Sequence, residues 1–115
     1  MDELTRQLVL SRLGISFETL VDFCKANGII RLSFFGSILR DDFRPDSDVD
    51  VLVTMAKRER FGFMQFMAVQ AELSKLLGRP VDLLEQVGVE RSPGRIRKNE
   101  ILSTARLFYE EPEAA

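Results

Sequence analysis

The 115-residue chain has 45% hydrophobic and 30% charged residues, a balance that favours a folded globular domain over a disordered or membrane-embedded chain. Its net charge of -2 argues against a generic nucleic-acid binder, and the absence of histidine excludes imidazole-based catalysis and zinc sites built on imidazole. The length fits a single domain over residues 1–115, and the lack of a basic and apolar leader or an apolar run of membrane-spanning length predicts a cytoplasmic protein without a membrane span.

Residues 1–28 are predicted to form two N-terminal helices. Apolar residues recur at helical spacing from Asp2 to Leu13, and Gly14 ends the pattern. Ser16 is a candidate cap for a second helix from Phe17 to Asn27, which places Cys24 among apolar neighbours as a small buried thiol. The two helices resemble a DNA-reading helix pair only weakly, because acidic residues on the would-be reading helix would repel phosphates. No direct DNA reading is therefore expected.

Two strands are predicted to flank a glycine turn. Ile29 to Phe35 is the first strand, and Asp48 to Thr54 is the second. At the end of a buried strand, Gly36 allows the backbone to approach a ligand closely. Ser37 can then cap a short helix from Ile38 to Asp42, whose free N–H groups favour a phosphate. The turn is a candidate seat for an anion.

The second strand opens with two carboxylates on one side. Side chains alternate along a strand, so Asp48 and Asp50 project from the same face roughly 7 Å apart. At about 5 Å and an effective dielectric near 20, two like charges repel by roughly 3 kcal/mol, which a cation, a proton or water must offset. Carboxylate oxygens suit magnesium or manganese. A metal site beside the anion seat is therefore predicted.

Ala56 to Gly78 reads as a longer helix, followed by a third strand from Val81 to Leu84. The helix carries an apolar stripe formed by Phe63, Phe66, Met67, Leu73 and Leu77. We expect this stripe to pack on the sheet, although apolar residues off the stripe, such as Phe61 and Met64, also suit a partner interface. Asp82 is the acidic residue inside the third strand, and taken alone it reads as an exposed residue on an edge strand, which Pro80 at the strand start also fits.

The segment from Gly88 to Asn99 carries four positive charges, which are Arg91, Arg95, Arg97 and Lys98. Such a run could hold a triphosphate, RNA or an acidic partner, or be a solvated helix start. Ser92 as cap and Pro93 in the first position predict a closing helix within residues 92–110, running from about Gly94 to Glu110. Its expected buried face is Ile101, Leu102, Ala105 and Phe108.

This order of elements predicts an α/β domain with a small mixed sheet and flanking helices, in which residues 29–84 form the core that carries the site. Gly36 and Ser37, then ten residues, then Asp48-Val49-Asp50 resemble the signature of the polymerase-beta-type nucleotidyltransferase superfamily. The length resembles the minimal nucleotidyltransferases, the antitoxins of HEPN/MNT toxin-antitoxin pairs. Arg40 and Ser47 also match that pattern, whereas Asp41 stands where the family often has glycine.

The resemblance implies a minimal nucleotidyltransferase fold, a reduced polymerase-beta-like palm, that transfers AMP from ATP to a hydroxyl, with tyrosine of a HEPN ribonuclease toxin as the acceptor. A hetero-oligomer with that toxin is expected. The implied catalytic and metal-binding residues are Asp48, Asp50 and Asp82, holding Mg²⁺ or Mn²⁺. The implied nucleotide-binding residues are Gly36, Ser37, Arg40 and Ser47.

Two other functions stay open. The chain could neutralise its toxin by surface contact alone, as a non-catalytic antitoxin. It could also be a nucleotidyltransferase for a small molecule or RNA, but related transferases of that kind carry an added helical domain to hold the acceptor. In that case an accessory chain would have to supply the acceptor site.

Overall fold

In a computed structural model, which describes residues 1–56 and 62–112, helices and strands alternate along the chain. The helices are α1 (Glu3–Leu13), α2 (Phe17–Ala26), α3 (Phe63–Leu77), α4 (Gln86–Glu90) and α5 (Arg95–Thr104), and the strands are β1 (Ile29–Phe35), β2 (Val49–Met55), β3 (Val81–Glu85) and β4 (Arg106–Glu110). A 3₁₀ turn at Gly36–Leu39 follows β1. The strands form one sheet in the order β3-β2-β1-β4.

The sheet is mixed, as predicted, because its strand pairs run in both senses. β1 pairs antiparallel with β2, with Phe34 opposite Val51, and antiparallel with β4 on its other side. β2 and β3 are parallel, so the chain must cross over between them, and α3 lies in that connection. Because β3 comes first in the strand order β3-β2-β1-β4, it is an edge strand.

The two N-terminal helices begin and end as the sequence predicts. The Asp2 side chain accepts a hydrogen bond from the Thr5 amide at 2.8 Å, and Ser16 caps α2 through the Thr19 amide at 3.1 Å. Gly14 ends α1 in the left-handed conformation, with φ of 69°, and its N–H donates to the Leu10 carbonyl.

Apolar side chains cover both faces of the sheet. The larger core lies between one face and the first three helices, and includes Val9, Leu20, Cys24, Phe34, Val51, Leu73 and Leu77. A smaller core on the other face consists of Phe35, Leu52, Val89 and Ile101, the last two from α4 and α5. Within residues 1–56 and 62–112, no helix is long and apolar enough to cross a bilayer.

The predicted closing helix from Gly94 to Glu110 is wrong in its second half. α5 ends at Thr104, Ala105 is extended, and the chain continues as β4. Pairing with β1 satisfies backbone groups that would otherwise be open at the sheet edge, and it buries Phe108 edge-on against Phe34, with ring centroids 5.2 Å apart. These tertiary contacts override the helical spacing. The helix also begins later than predicted, because Gly94 and not Ser92 is its N-cap.

The short helix predicted over Ile38 to Asp42 is instead the 3₁₀ turn at Gly36–Leu39, after which Arg40 is extended. Arg12 of α1 donates hydrogen bonds to the carbonyls of Ile38 and Arg40, at 2.9 and 2.5 Å. An α-helix over Ile38 to Asp42 would use the Ile38 carbonyl for its own backbone bond and would leave the Arg40 carbonyl free. The contact with α1 therefore competes for the Ile38 acceptor that such a helix would need.

The apolar stripe of α3 is only partly buried. Leu73 and Leu77 lie in the core as predicted, but Phe63 and Met67 are 75% and 40% exposed, so the expectation that they pack on the sheet is wrong. Met64, off the stripe, is 81% exposed. The part of the predicted helix that includes Phe61 lies outside the described residues.

Cys24 is expected to be inert in the folded chain. It is fully buried, and burial raises the pKa of its thiol to about 12, so the reactive thiolate is scarce at neutral pH. An aromatic disulfide reagent should leave the native chain unlabelled and label the urea-unfolded chain completely. Rapid labelling of the native chain at pH 8 would contradict the burial of this thiol.

Candidate functional site

Two of the predicted carboxylates are neighbours on adjacent strands. In the parallel pairing of β2 and β3, Asp50 lies opposite Asp82, and their side chains project from the same sheet face. Asp48 lies just before β2, two residues from Asp50 and thus on the same side. Asp50 is half-buried, and the other two carboxylates are exposed. The fold therefore brings Asp50 and Asp82 together at the start of β2 and β3, with Asp48 near enough for its charge to act on Asp50.

Gly36 meets this group from β1. It follows Phe35, which is paired with Asp50, and adopts φ of +79°, a left-handed conformation that side chains rarely tolerate. A Cβ at this position would overlap the Asp50 carboxylate. Glycine is required here for two separate reasons, the backbone conformation and the close approach to the acid.

A cavity of about 290 Å³ opens beside Asp50 and is lined mainly by polar atoms. Its wall includes Gly36, Arg40, Asp50, Arg97, Glu100 and Thr104. Arg97, Glu100 and Thr104 recur at helical spacing along α5, so they lie on one face of that helix. The cavity thus combines two carboxylates, two guanidinium groups and a backbone turn. The guanidinium groups suit phosphate oxygens, and the carboxylates suit a cation that accompanies them.

The charges around Asp50 oppose its ionisation. Burial raises the pKa of the Asp50 carboxyl, and the negative charges of Asp82 and Asp48 raise it further, while Arg97 and Arg40 act in the opposite direction. A bound cation would relieve this repulsion. The electrostatics therefore favour a positively charged ligand beside Asp50.

The donor chemistry fits a hard divalent cation, since oxygen atoms of Asp48, Asp50 and Asp82 are the ligands that magnesium and manganese prefer. Over residues 1–56 and 62–112, no three acidic, histidine or cysteine side chains stand together as a ready-made metal site. Metal binding by these three residues stays a prediction, and it requires their side chains to converge on the ion.

The loop before Asp48 is held by two arginines that sequence reasoning missed. The guanidinium groups of Arg12 and Arg79 lie 5.3 and 4.7 Å from the centre of the Phe43 ring. Arg79 also donates to the carbonyls of Arg44 and Ser47, at 3.3 and 3.4 Å. The Ser47 hydroxyl accepts from the Arg44 amide at 2.9 Å. Ser47 thus shapes the turn that leads into the carboxylates, and its predicted contact with nucleotide stays a prediction.

The other two predicted nucleotide ligands lie at the glycine turn. Arg40 lines the cavity and also pairs with Asp42, with 3.1 Å between Nε and Oδ1. Ser37 lies inside the 3₁₀ turn, whose N-cap is Phe35, so its hydroxyl does not cap a helix as expected. Gly36 and Arg40 are brought to the cavity with Asp50, whereas Ser37 and Ser47 are not part of its described wall.

Arg97 is the main functional candidate whose position the sequence left open. It belongs to the basic run between Gly88 and Asn99, and the sequence alone is compatible with that run binding a triphosphate, RNA or an acidic partner, or facing solvent. A signal was present, since Arg97, Glu100 and Thr104 share one helical face. Only the packing of α5 on the sheet, through Ile101 and Phe35, shows that this face meets Asp50.

Neutralising Asp50 is expected to stabilise the protein. Its pKa is raised above the ordinary value of 3.8, so the folded chain binds this proton more tightly than the unfolded chain, and ionisation at neutral pH costs stability. Asp50→Asn should therefore unfold at a higher temperature than wild type at pH 7 without divalent cations. The difference should shrink towards about pH 3, where both states are protonated.

Asp46→Asn is the matched control for this measurement, because Asp46 is exposed in the loop before the site. Its free energy of unfolding should stay within about 0.5 kcal/mol of wild type, and its melting temperature should therefore be nearly unchanged. A lower melting temperature for Asp50→Asn at pH 7 would show that the Asp50 carboxylate is held by favourable contacts and not by opposed charges.

Comparison with known proteins matches residues 18–106, most of the chain, to the family model described as a nucleotidyltransferase domain. A solved structure of a provisionally assigned minimal nucleotidyltransferase is 28% identical, with a TM-score of 0.61 over 92% of this chain and 95% of that chain. A second structure, of a tri-AMPylated Shewanella oneidensis HEPN toxin with an MNT antitoxin, superposes with a TM-score of 0.56 at 17% identity, over 81% of this chain and 68% of that chain.

A relative from Methanocaldococcus jannaschii, provisionally named a protein adenylyltransferase, is 33% identical over 58 residues. That match covers 50% of this chain and 60% of the relative, so the chain spans less than two thirds of the length of this curated relative. The α/β architecture with its four-stranded mixed sheet is that of the minimal nucleotidyltransferases. Together with the family match, this establishes that the chain belongs to the nucleotidyltransferase domain family.

Proposed function

We propose that this protein is an antitoxin that transfers AMP from ATP to a hydroxyl group, with tyrosine as the expected acceptor, on a HEPN-type toxin and thereby neutralises it. The observation that carries the proposal is the meeting of Asp50 and Asp82 across β2 and β3 beside a cavity lined by Arg40 and Arg97. The AMPylated toxin in one similar complex, and the name of the Methanocaldococcus relative, support a protein acceptor and an adenylyl group.

In this proposal the arginines bind the phosphates and the carboxylates bind the metal ions. Arg40 and Arg97 hold the negative phosphates in the cavity, and the open backbone at Gly36 lets the chain approach them. Asp48, Asp50 and Asp82 would hold one or two Mg²⁺ ions, which would supply charge neutralisation for the phosphate oxygens. Ser37 and Ser47 complete the proposed nucleotide contacts, just before and at the end of the ten-residue segment 38–47.

Transfer requires a proton acceptor near the incoming hydroxyl. Asp82 is exposed on the edge strand, so the hydroxyl of a partner protein can reach it. As that proton leaves, the hydroxyl oxygen bonds to the α-phosphorus of ATP, the bond from this phosphorus to the bridging oxygen breaks, and pyrophosphate departs. Exposure of Asp82 suits an acceptor supplied by another chain.

Labelled ATP tests this proposal directly. The chain, Mg²⁺ and its HEPN partner should give labelled partner with wild type, whereas Asp48→Asn and Asp50→Asn should reduce labelling by at least about 100-fold. The control is Asp46→Asn, the same substitution at an exposed residue two positions before Asp48 that has no assigned role in the site, and it should label as wild type does. Equal labelling by all four proteins would exclude the assigned carboxylates.

A second candidate is an antitoxin that acts by binding alone. The exposure of Phe63 and Met64, at 75% and 81%, favours it, because large apolar side chains on a surface suit a protein contact. The same assay separates the two functions. Inhibition of the toxin without labelling, with each of the four nucleoside triphosphates, would support binding alone.

A further inference from the structure

A second cavity adjoins the phosphate cavity between β3, α4 and α5. It has a volume of about 270 Å³ and is lined mainly by apolar atoms from β3, α4 and α5. The side chains that matter here are Leu84, Gly88, Val89, Arg97, Lys98 and Ile101. Arg97 and Ile101 also line the phosphate cavity, so the two spaces are neighbours that share a wall.

The two cavities differ in character as the two ends of a nucleotide do. One contains the carboxylates of Asp50 and Glu100 and the guanidinium groups of Arg40 and Arg97, and suits phosphates accompanied by a cation. The other has a mainly apolar lining, to which Glu85, Ser92, Arg97 and Lys98 also contribute, and it suits a flat heterocycle that needs a few hydrogen bonds. Each is near the lower end of the roughly 300–1,000 Å³ typical of ligand sites, so neither would hold a whole nucleotide comfortably alone.

We propose that the apolar cavity between β3, α4 and α5 binds the nucleobase of the nucleoside triphosphate whose phosphates occupy the neighbouring polar cavity. This rests on the proposed function, since it takes a nucleotide as the ligand. Arg97 lines both cavities and so stands at their junction. An arginine suits such a position, because its stem can cover apolar surface while its guanidinium group binds phosphate. The basic run in α5 thus joins the two halves of one ligand site.

Gly88 offers a way to fill this cavity without disturbing the phosphate side. It lines the apolar cavity, a Cβ built on it meets no atom within 4 Å, and its backbone is not left-handed. It is absent from the wall of the phosphate cavity. Gly88→Phe therefore adds a ring at the cavity with little backbone strain, and Gly88→Ala is the matched control that leaves most of the space open.

Titration calorimetry with ATP and with inorganic tripolyphosphate, both with Mg²⁺, separates the two halves. Wild type and Gly88→Ala should bind ATP at least about tenfold more tightly than tripolyphosphate, because the base adds buried apolar area. Gly88→Phe should lose that advantage and still bind tripolyphosphate within about twofold of wild type. Equal affinity of wild type for both ligands, or undiminished ATP binding by Gly88→Phe, would overturn the base site while leaving the phosphate site intact.

Photo-crosslinking of the wild-type chain gives a readout that does not depend on a variant. With 8-azido-ATP and Mg²⁺, the labelled peptide should come from residues 84–101, and excess ATP should suppress the labelling. A label confined to another segment would overturn the proposal even if nucleotide binds. Absence of binding by both ATP and tripolyphosphate would remove the proposed function itself, and the base site with it.

Discussion

Gly36→Ala is expected to reduce nucleotide transfer by at least about 100-fold and to destabilise the fold by about 1–3 kcal/mol. The stability loss follows from φ of +79°, which the alanine side chain disfavours. The loss of transfer has a different origin, because the new Cβ overlaps the Asp50 carboxylate, which must shift from its place beside the cavity. Thermal unfolding and the labelled-ATP assay measure the two effects separately.

Gly14→Ala provides the matched control for this variant. Gly14 has a similar φ of +69°, but a Cβ there meets no atom within 4 Å, so the same change imposes backbone strain without a collision. It should lower stability to a similar extent and leave transfer at the wild-type level. If Gly14→Ala lost transfer as severely as Gly36→Ala, the effect would be one of general stability, and displacement of Asp50 would not be its cause.

The site was predictable to the extent that local rules determine it. Alternation along a strand places Asp48 and Asp50 on one face, and a glycine at the end of β1 signals close backbone approach. The register that sets Asp82 opposite Asp50 was not available from local rules, because it depends on how the chain crosses over through α3. The family resemblance supplied only the expectation of a third carboxylate from a later strand, and it did not specify this register.

The end of the chain shows where local rules fail. Residues 106–110 follow α5 with apolar residues at helical spacing, yet they pair with β1. Their conformation is decided by an open strand edge and by aromatic contacts contributed from the other end of the chain, and a propensity argument sees neither. The same holds for Arg97, whose role depends on the sheet face that α5 covers and not on its neighbours in sequence.

Phe34→Ala is expected to produce the largest loss of stability among single substitutions in this sheet, about 3–5 kcal/mol in the free energy of unfolding. Phe34 is 1% exposed in the central strand β1 and packs edge-on against Phe108 of β4. Its removal leaves a cavity between the sheet and the helices that the surrounding side chains cannot fill. Urea unfolding measures the change, and Phe63→Ala, the same change at a 75% exposed position, should stay within about 0.5 kcal/mol of wild type.

A double-mutant cycle with Phe34→Leu and Phe108→Leu tests the part of the fold that the sequence mispredicted. Because the two rings meet at 5.2 Å in an edge-on arrangement, their coupling energy should be about 0.5–1.5 kcal/mol. If residues 106–110 instead continued α5 as a helix, Phe108 would not be paired with β1, and the two substitutions would be additive. Additive effects in urea unfolding would therefore contradict the pairing of β4 with β1 and favour the longer helix. A measurable coupling would support the pairing of residues 106–110 with β1, the strand that leads into Gly36.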